Sequence, residues 1–259
     1  MAKVRQLQEK RGWAWTTAVS IVKPTLLVVS RRDWIDGEKV PATGGCIVTV
    51  NHISHVDPMS LGLFLYEHGR LVHYLAKEAL WHVPVLKHIA RDAGQIPVKR
   101  MSEGAGSAFE AAVAAVRAGE CIGVYPEGTI TKDPSGWPMR GKTGAARIAL
   151  TTGAPVIPIG QWGAQELLPA YTFRPHVLPR KTLRYKVGDP VDLGDLQDKP
   201  LSAEVLREAT DRIMQAITSL VEDLREEPAP RERFDPRTSG VNEIGNPRKH
   251  KRTQKRVRP

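Results

Sequence analysis

The sequence predicts an α/β fold: a central mixed, largely parallel sheet flanked by helices, with an N-terminal membrane-associated helix pair and a long C-terminal helix. Three observations carry the expectation. Short apolar runs rich in β-branched residues recur along the chain, segments of helical periodicity separate them, and no internal repeat is visible. Strands alternating with helices favour a sheet covered on both faces. At 259 residues, 41% hydrophobic and 25% charged, the chain is long enough to bury a sizeable core and has a globular composition.

The first element is the stretch "WAWTTAVSIVKPTLLVVS" at 13–30. Lys23 and Pro24 interrupt it, and it falls short of the ~20 apolar residues that span a bilayer, so neither a transmembrane helix nor a signal peptide is expected. Lys3, Arg5, Lys10 and Arg11 precede it, Arg31 and Arg32 follow, and Trp13 and Trp15 sit near one boundary. Amphipathic rings favour the headgroup level. Residues 1–32 therefore read as two short amphipathic helices, broken at Pro24 and lying in a membrane surface. Packing of the same helices on the protein's own core is the alternative.

Residues 33–227 carry the main domain. Its strands are expected at "CIVTVN" (46–51), "LVHYLAK" (71–77), "QIPVKR" (95–100), "CIGVYPE" (121–127), "PVIPIGQW" (155–162) and "TLRYKVGDPV" (182–191). Between them, 103–118 places Phe109, Ala112, Val113 and Val116 on one helical face. "KTGAARIALTTG" stops at Gly153, two residues before Pro155. A long helix from about Ser202 to Glu226 turns Leu206, Ala209, Ile213, Ile217, Leu220 and Leu224 inward.

The formal charge of +10 is uneven. From Pro228 to Pro259, ten Lys/Arg against three Asp/Glu give +7, leaving +3 for the remainder. With few large apolar side chains, the 228–259 tail is expected to be basic and disordered. Its "RKHKRTQKR" suits an anionic surface, either nucleic acid or membrane, or serves only as a solvated tail. Cys46 and Cys121 lack metal or redox spacing, which favours a reduced setting.

Two polar clusters follow predicted strands: Asn51–Asp57 after the first and Glu127–Thr131 after the fourth. Ligands of such sheets bind beyond the carboxyl ends of strands, so both clusters should share one edge. "NHISHVDP" (51–58) admits three readings. Asp57 followed by Pro58 suits a helix cap. His52, His55 and Asp57 are possible metal ligands, though no further ligand cluster supports them. Finally, His52 and Asp57 can form an imidazole–carboxylate dyad in which the carboxylate fixes the tautomer and the other nitrogen acts as a general base.

"NHISHVD" resembles the NHxxxxD block of the glycerolipid acyltransferases, the lysophosphatidic acid (1-acylglycerol-3-phosphate) acyltransferase family. Three further stretches fall in that family's order. "GQIPVKR" (94–100) is similar to its Gly-led strand ending in a basic residue, and "YPEGTITKD" (125–133) to its E-G-T block. "GKTG" (141–144), then "RIAL" and "APVIPIG" (154–160), resemble its Lys-x-Gly stretch and closing strand. The likeness runs from about Gly45 to Gly160. Its first and third blocks together are the specific part.

The resemblance implies that His52 deprotonates an acceptor hydroxyl for attack on an acyl thioester, with Asp57 orienting it. It implies a phosphate site at Arg100, with Lys99 on the opposite strand face, and substrate contacts at Glu127, Gly128, Thr129 and Lys142. Glu127 has a structural alternative, accepting from neighbouring N–H groups. His55 has no role in the block. Where the family shows E-G-T-R-S, this chain has Ile130 and Thr131, so the usual phosphate-binding arginine is missing. Lys132, Arg140 and Lys142 could supply replacement charge, Lys142 being on a family-matched position, though a lysine does not reproduce arginine's bidentate geometry. The segment 61–89 supplies candidates for an acyl groove.

The implied activity moves a long acyl chain from acyl-CoA, or acyl carrier protein, to a hydroxyl of glycerol 3-phosphate or lysophosphatidic acid in phospholipid biosynthesis. Acyl-CoA would be a co-substrate, with no separate cofactor, no metal and no nucleic-acid partner. The expected setting is peripheral, on the cytoplasmic face of the cell membrane. A different lysophospholipid or glycolipid acceptor is the nearest alternative. A metal-dependent hydrolase and a non-catalytic lipid-binding protein are alternatives of other classes.

Overall fold

A computed structural model describes residues 5–7, 9–77, 82, 84–98 and 105–242. The elements run α1 (Trp13–Val29), β1 (Ser30–Ile35), β2 (Cys46–Val50), α2 (Asp57–Glu67), β3 (Val72–Lys77), α3 (Pro84–Asp92), β4 (Ile96–Val98), α4 (Ala105–Arg117) and β5 (Cys121–Val124). They continue with α5 (Gly144–Thr152), β6 (Val156–Trp162), α6 (Ala164–Leu167), β7 (Lys181–Val187), α7 (Gly194–Gln197) and α8 (Ala203–Arg225).

The strands form one seven-stranded sheet in the order β1-β7-β6-β2-β5-β3-β4. All neighbours are parallel except β6 and β7, which makes the sheet mixed but largely parallel, as expected. Every residue of β2, "CIVTV", is buried, the unbroken apolar run of a strand covered on both faces. Alternation sends Val48 and Val50 into a cluster with Leu26, Phe64 and Ile159 on the side of α1 and α2. Ile47 joins Ile122, Ile148, Ile213 and Ile217 on the side of α4, α5 and α8. Cys46 and Cys121 are direct partners in the β2–β5 register, both free and wholly buried.

Several boundaries follow from local chemistry. Gly153 ends α5 with φ of 70°, in the left-handed region. Ser202 caps α8, its Oγ accepting from Val205 N at 3.2 Å. The face of α8 is the predicted one: Ala209, Ile213, Ile217, Leu220 and Leu224 are buried and Leu206 packs against them. At Gly160 the helix comes so close that an added Cβ would lie 2.9 Å from the Leu220 backbone carbon.

The N-terminal region departs from expectation. α1 is one helix with Pro24 inside it, not two helices broken there. Ser20, whose carbonyl would have taken the missing N–H, is exposed to water, as is Pro24. The opposite face, with Leu26 buried and Trp15, Val22 and Val29 packed on the core, holds both halves in line. β1 was not expected as a strand, since "SRRDWI" is charged. It is an edge strand paired to β7 alone, so one side needs no apolar cover. α3 was likewise unforeseen.

The tail is also more ordered than its composition suggests, at least to residue 242. Arg140 N donates to Phe234 O at 3.0 Å, Arg140 pairs with Asp235 at 3.0 Å, and Arg233 Nη2 donates to Gln215 Oε1 at 2.8 Å. The Arg225 guanidinium lies 3.9 Å from the Trp137 ring centroid and 4.3 Å from that of Trp162. Ionic and hydrogen-bond contacts through Arg233, Phe234 and Asp235 thus tie down the start of a tail with little apolar surface, while the Arg225 stacking belongs to the end of α8. The remaining tail, 243–259, lies outside the described residues.

Candidate active site

β2 and β5 are adjacent and parallel, so the loops after them open on the same sheet edge. The two polar clusters meet there. The His52 carbonyl accepts from Thr131 N at 2.7 Å, and His52 N donates to Glu127 Oε1 at 2.8 Å.

In the loop after β2, His52 Nδ1 lies 2.8 Å from Asp57 Oδ2. The same oxygen accepts from Ile53 N at 2.7 Å and Ser54 N at 2.8 Å. Asp57 is fully buried, while the His52 side chain keeps 16% exposure. The Asp57 carboxylate therefore turns back over its own loop instead of capping the helix, where no side-chain cap is made. That corrects the cap reading, though Pro58 does sit in the first turn of α2, just after Asp57. With Nδ1 held by Asp57, Nε2 is the nitrogen left for chemistry. The Tyr125 ring stacks on His52 at 4.3 Å between centroids and 29° between planes, fixing the imidazole's remaining freedom.

A buried polar bracket stands behind the dyad. Asn51 Nδ2 donates to Gln161 O at 3.0 Å and Gln161 N to Asn51 Oδ1 at 2.8 Å. Tyr185 Oη donates to Gln161 Oε1 at 2.6 Å and lies 2.6 Å from Ser60 Oγ on α2. This chain ties the ends of β2 and β6 to the first turns of α2. The sequence offered one signal, a glutamine interrupting the apolar run of β6.

Glu127 is a brace. Its Oε1 holds His52 N, and its Oε2 accepts from Met139 N at 2.9 Å. Burial pushes its pKa up to about 8, against the lowering effect of the two backbone N–H groups. The structural alternative raised for this residue thus accounts for both oxygens. Gly128 turns with φ of 70°, and a Cβ there would lie 3.2 Å from Lys142 Cδ and 3.5 Å from Lys142 Nζ. Lys142 N donates to Pro126 O at 2.8 Å, which brings that cation beside the turn. Thr129 sits beside the Tyr171 hydroxyl.

Ile130, in place of the family arginine, is buried. Of the nearby cations, Arg140 is engaged with Asp235, and Lys132 is buried with its N donating to Met139 Sδ at 3.1 Å. Lys99 and Arg100 lie outside the described residues. His55 points across the mouth and stacks on Phe173 at 5.4 Å and 8°. Burial and the nearby His52 hold its imidazole below the ordinary histidine value. Among the described residues, no three His, Cys, Asp or Glu side chains converge as metal ligands. Tyr171, whose Oη donates to Ile130 O at 2.6 Å, was not foreseen, and nothing in its local sequence marks it.

Comparison with known proteins agrees with the geometry. A family model described as acyltransferase matches residues 33–162. The chain is 26% identical to the 1-acyl-sn-glycerol-3-phosphate acyltransferase of Bacillus subtilis over 183 residues, 71% of this chain and 84% of that protein. It is 32% identical to the protein of the same description from Borreliella burgdorferi over 123 residues, 47% of each chain. The crystal structure of PlsC, the lysophosphatidic acid acyltransferase of Thermotoga maritima, superposes with a TM-score of 0.62 at 22% identity. It covers 83% of this chain and 81% of that one, a likeness of fold. With a matched region running from β1 to the end of β6, and so containing the dyad, its brace and the Asn51–Gln161 pair behind them, the chain belongs to the acyltransferase family.

Proposed function

We propose that this protein transfers a fatty acyl group from a thioester donor, acyl-CoA or acyl carrier protein, to the free hydroxyl of lysophosphatidic acid, with His52 as general base. The observation that carries the reading is the 2.8 Å contact of His52 Nδ1 with a buried Asp57 inside the matched family region. His52 Nε2 takes the hydroxyl proton as the oxygen attacks the thioester carbonyl. The resulting tetrahedral intermediate expels the thiolate, which recovers the proton from the imidazolium. Asp57 keeps Nδ1 protonated and stabilises the transient positive charge, and no covalent enzyme intermediate is needed. The names of the Bacillus and Borreliella relatives support the acceptor.

Lys142 beside Gly128, together with Arg100, is assigned to the acceptor phosphate. The exposed stripe Trp13, Ile21 and Val28 along α1 supports attachment to a membrane surface, where both substrates and product partition. Among the described residues no helix is long and apolar enough to cross a membrane.

The test is donor consumption with glycerol 3-phosphate, lysophosphatidic acid isomers and other lysolipids as acceptors. Lysophosphatidic acid should be preferred. His52→Ala should lower turnover by about 10³-fold or more without shifting the melting temperature, and unchanged turnover would sink the dyad. Arg100→Ala should raise the acceptor's KM about tenfold while leaving the donor's nearly unchanged. Ile130 in place of arginine favours a second reading, another lysolipid acceptor, which the same panel decides.

A further inference from the structure

We propose that the loop 168–180, between α6 and β7, is a second membrane-contacting element, rooted at the mouth of the site, bound to the C-terminal end of α1 and suited to an anionic phospholipid bilayer. The loop is rooted in the site. Ser54 Oγ donates to Leu168 O at 2.7 Å, Tyr171 Oη to Ile130 O at 2.6 Å, and His176 N to Leu167 O at 2.7 Å. Beyond these roots its tip turns outward: Phe173 is 86% exposed, Leu178 81% and Val177 40%.

Two large apolar side chains almost wholly in water, within six residues of one loop, are unlike the scattered exposure common on surfaces. They are also continuous with the stripe on α1, because Arg180 Nη2 donates to Leu27 O at 2.6 Å and to Ser30 O at the C-terminal end of that helix. Met59, on the first turn of α2 and two residues past Asp57, is exposed as well.

Charge decides the occupant. From Leu167 to Lys181 the chain has Arg174, Arg180 and Lys181 and not one Asp or Glu, while Arg184 and Lys186 farther along β7 pair with Asp33 and Asp223. From Lys10 to Arg32 it has Lys10, Arg11, Lys23, Arg31 and Arg32, again with no acid in the segment, of which Lys23 and Arg32 pair with Glu67 of α2. Apolar side chains interleaved with cations on long stems match a bilayer surface, where the former enter the acyl boundary and the latter stay among anionic headgroups. Because the loop is rooted at Ser54 and Ile130 beside His52, its docking on a bilayer brings the mouth to the lipid, and an acceptor can enter without crossing water.

The role of the site in this arrangement rests on the proposed lipid acceptor, so binding and turnover are measured apart. The full chain is floated with vesicles of equal parts phosphatidylglycerol and phosphatidylcholine. Turnover is followed separately on a short-chain lysophosphatidic acid kept below its micelle concentration. Val177→Asp/Leu178→Asp should lower the vesicle-bound fraction by at least about tenfold, with the melting temperature and the soluble-substrate turnover unchanged. Val177→Ser/Leu178→Ser serves in its place if the aspartates perturb folding. Vesicle binding equal to wild type in the folded variant overturns the proposal, as does a wild-type protein that fails to float. Equal binding to pure phosphatidylcholine vesicles overturns the preference for anionic lipid. Absent turnover on the soluble acceptor sinks the functional reading alone, since flotation decides the loop independently.

Discussion

In the loop after β2, Asp57 is sealed from solvent and accepts three hydrogen bonds through a single oxygen. Across the same mouth, Phe173 and Leu178 stand almost entirely in water. The two regions are physically joined, by Ser54 to Leu168 and by His55 to Phe173, yet they are built on opposite terms. Around His52 the protein supplies the hydrogen-bond partners that fix Nδ1, the backbone and the ring plane. At the rim it leaves large apolar side chains in water, beside Arg174, Arg180 and Lys181 in a loop that has no acid of its own. Preorganisation is needed in one region and not the other: the proposed base must be held before substrate arrives, whereas the rim completes itself only against its surroundings.

The largest effect is expected of Asp57→Asn. The amide oxygen, standing where Oδ2 stands, can still accept from Ile53 N, Ser54 N and Nδ1, but the negative charge that stabilises the imidazolium is gone. Turnover should drop by about 10³-fold, with the melting temperature nearly kept and vesicle binding untouched. A parallel loss of vesicle binding would show that wall and rim are not separable.

Next in size is Glu127→Gln. One of its two backbone partners would face an N–H donor, so the spacing of the two site loops relaxes and turnover should decline about ten- to a hundredfold. The pH dependence of stability should change too. In the folded protein the Glu127 carboxyl is raised to about 8 from an ordinary 4.5, so the folded state holds a proton that the unfolded chain releases. This contribution is fully present below about pH 4.5 and is lost as pH rises toward 8. Melting curves across that window should therefore fall more steeply for wild type than for Glu127→Gln. Parallel curves would refute the raised pKa.

The smallest expected effect is Arg225→Leu, behind the wall. Removing the guanidinium from between Trp137 and Trp162 should cost about 1–2 kcal/mol and lower the melting temperature by a few degrees, with turnover unchanged. A loss of turnover here would mean that the 132–140 segment helps position Glu127 through Met139.

How much of this was legible in the sequence follows from where information is local. The strands β2, β5 and β6 and the inward face of α8 are read directly, because burial on both faces or on one helical stripe is written in consecutive residues. The dyad was legible for the same reason, its two members being five positions apart. β1 was not, since an edge strand pairs through backbone groups that "SRRDWI" possesses as well as any other stretch. Pro24 misled because the cost of a lost N–H depends on whether water reaches the freed carbonyl, a property of the surface. Glu127 could be placed in the site but its role depended on Met139, twelve residues away. The Asn51–Gln161 bracket spans 110 residues, and Tyr171 meets Ile130 across 41. Such partners become visible only when the sheet closes.

The paired thiols in the middle of that sheet have a practical consequence. Cys46 and Cys121 sit opposite one another on β2 and β5, with no surface accessible to solvent. A thiol reagent can reach them only when the central strands separate, so their labelling rate would report the opening of the whole sheet and not local fraying. The chain thus carries its own clock for global unfolding, needing no engineered probe, and bound acceptor or vesicles should slow it to the extent that they favour the closed fold.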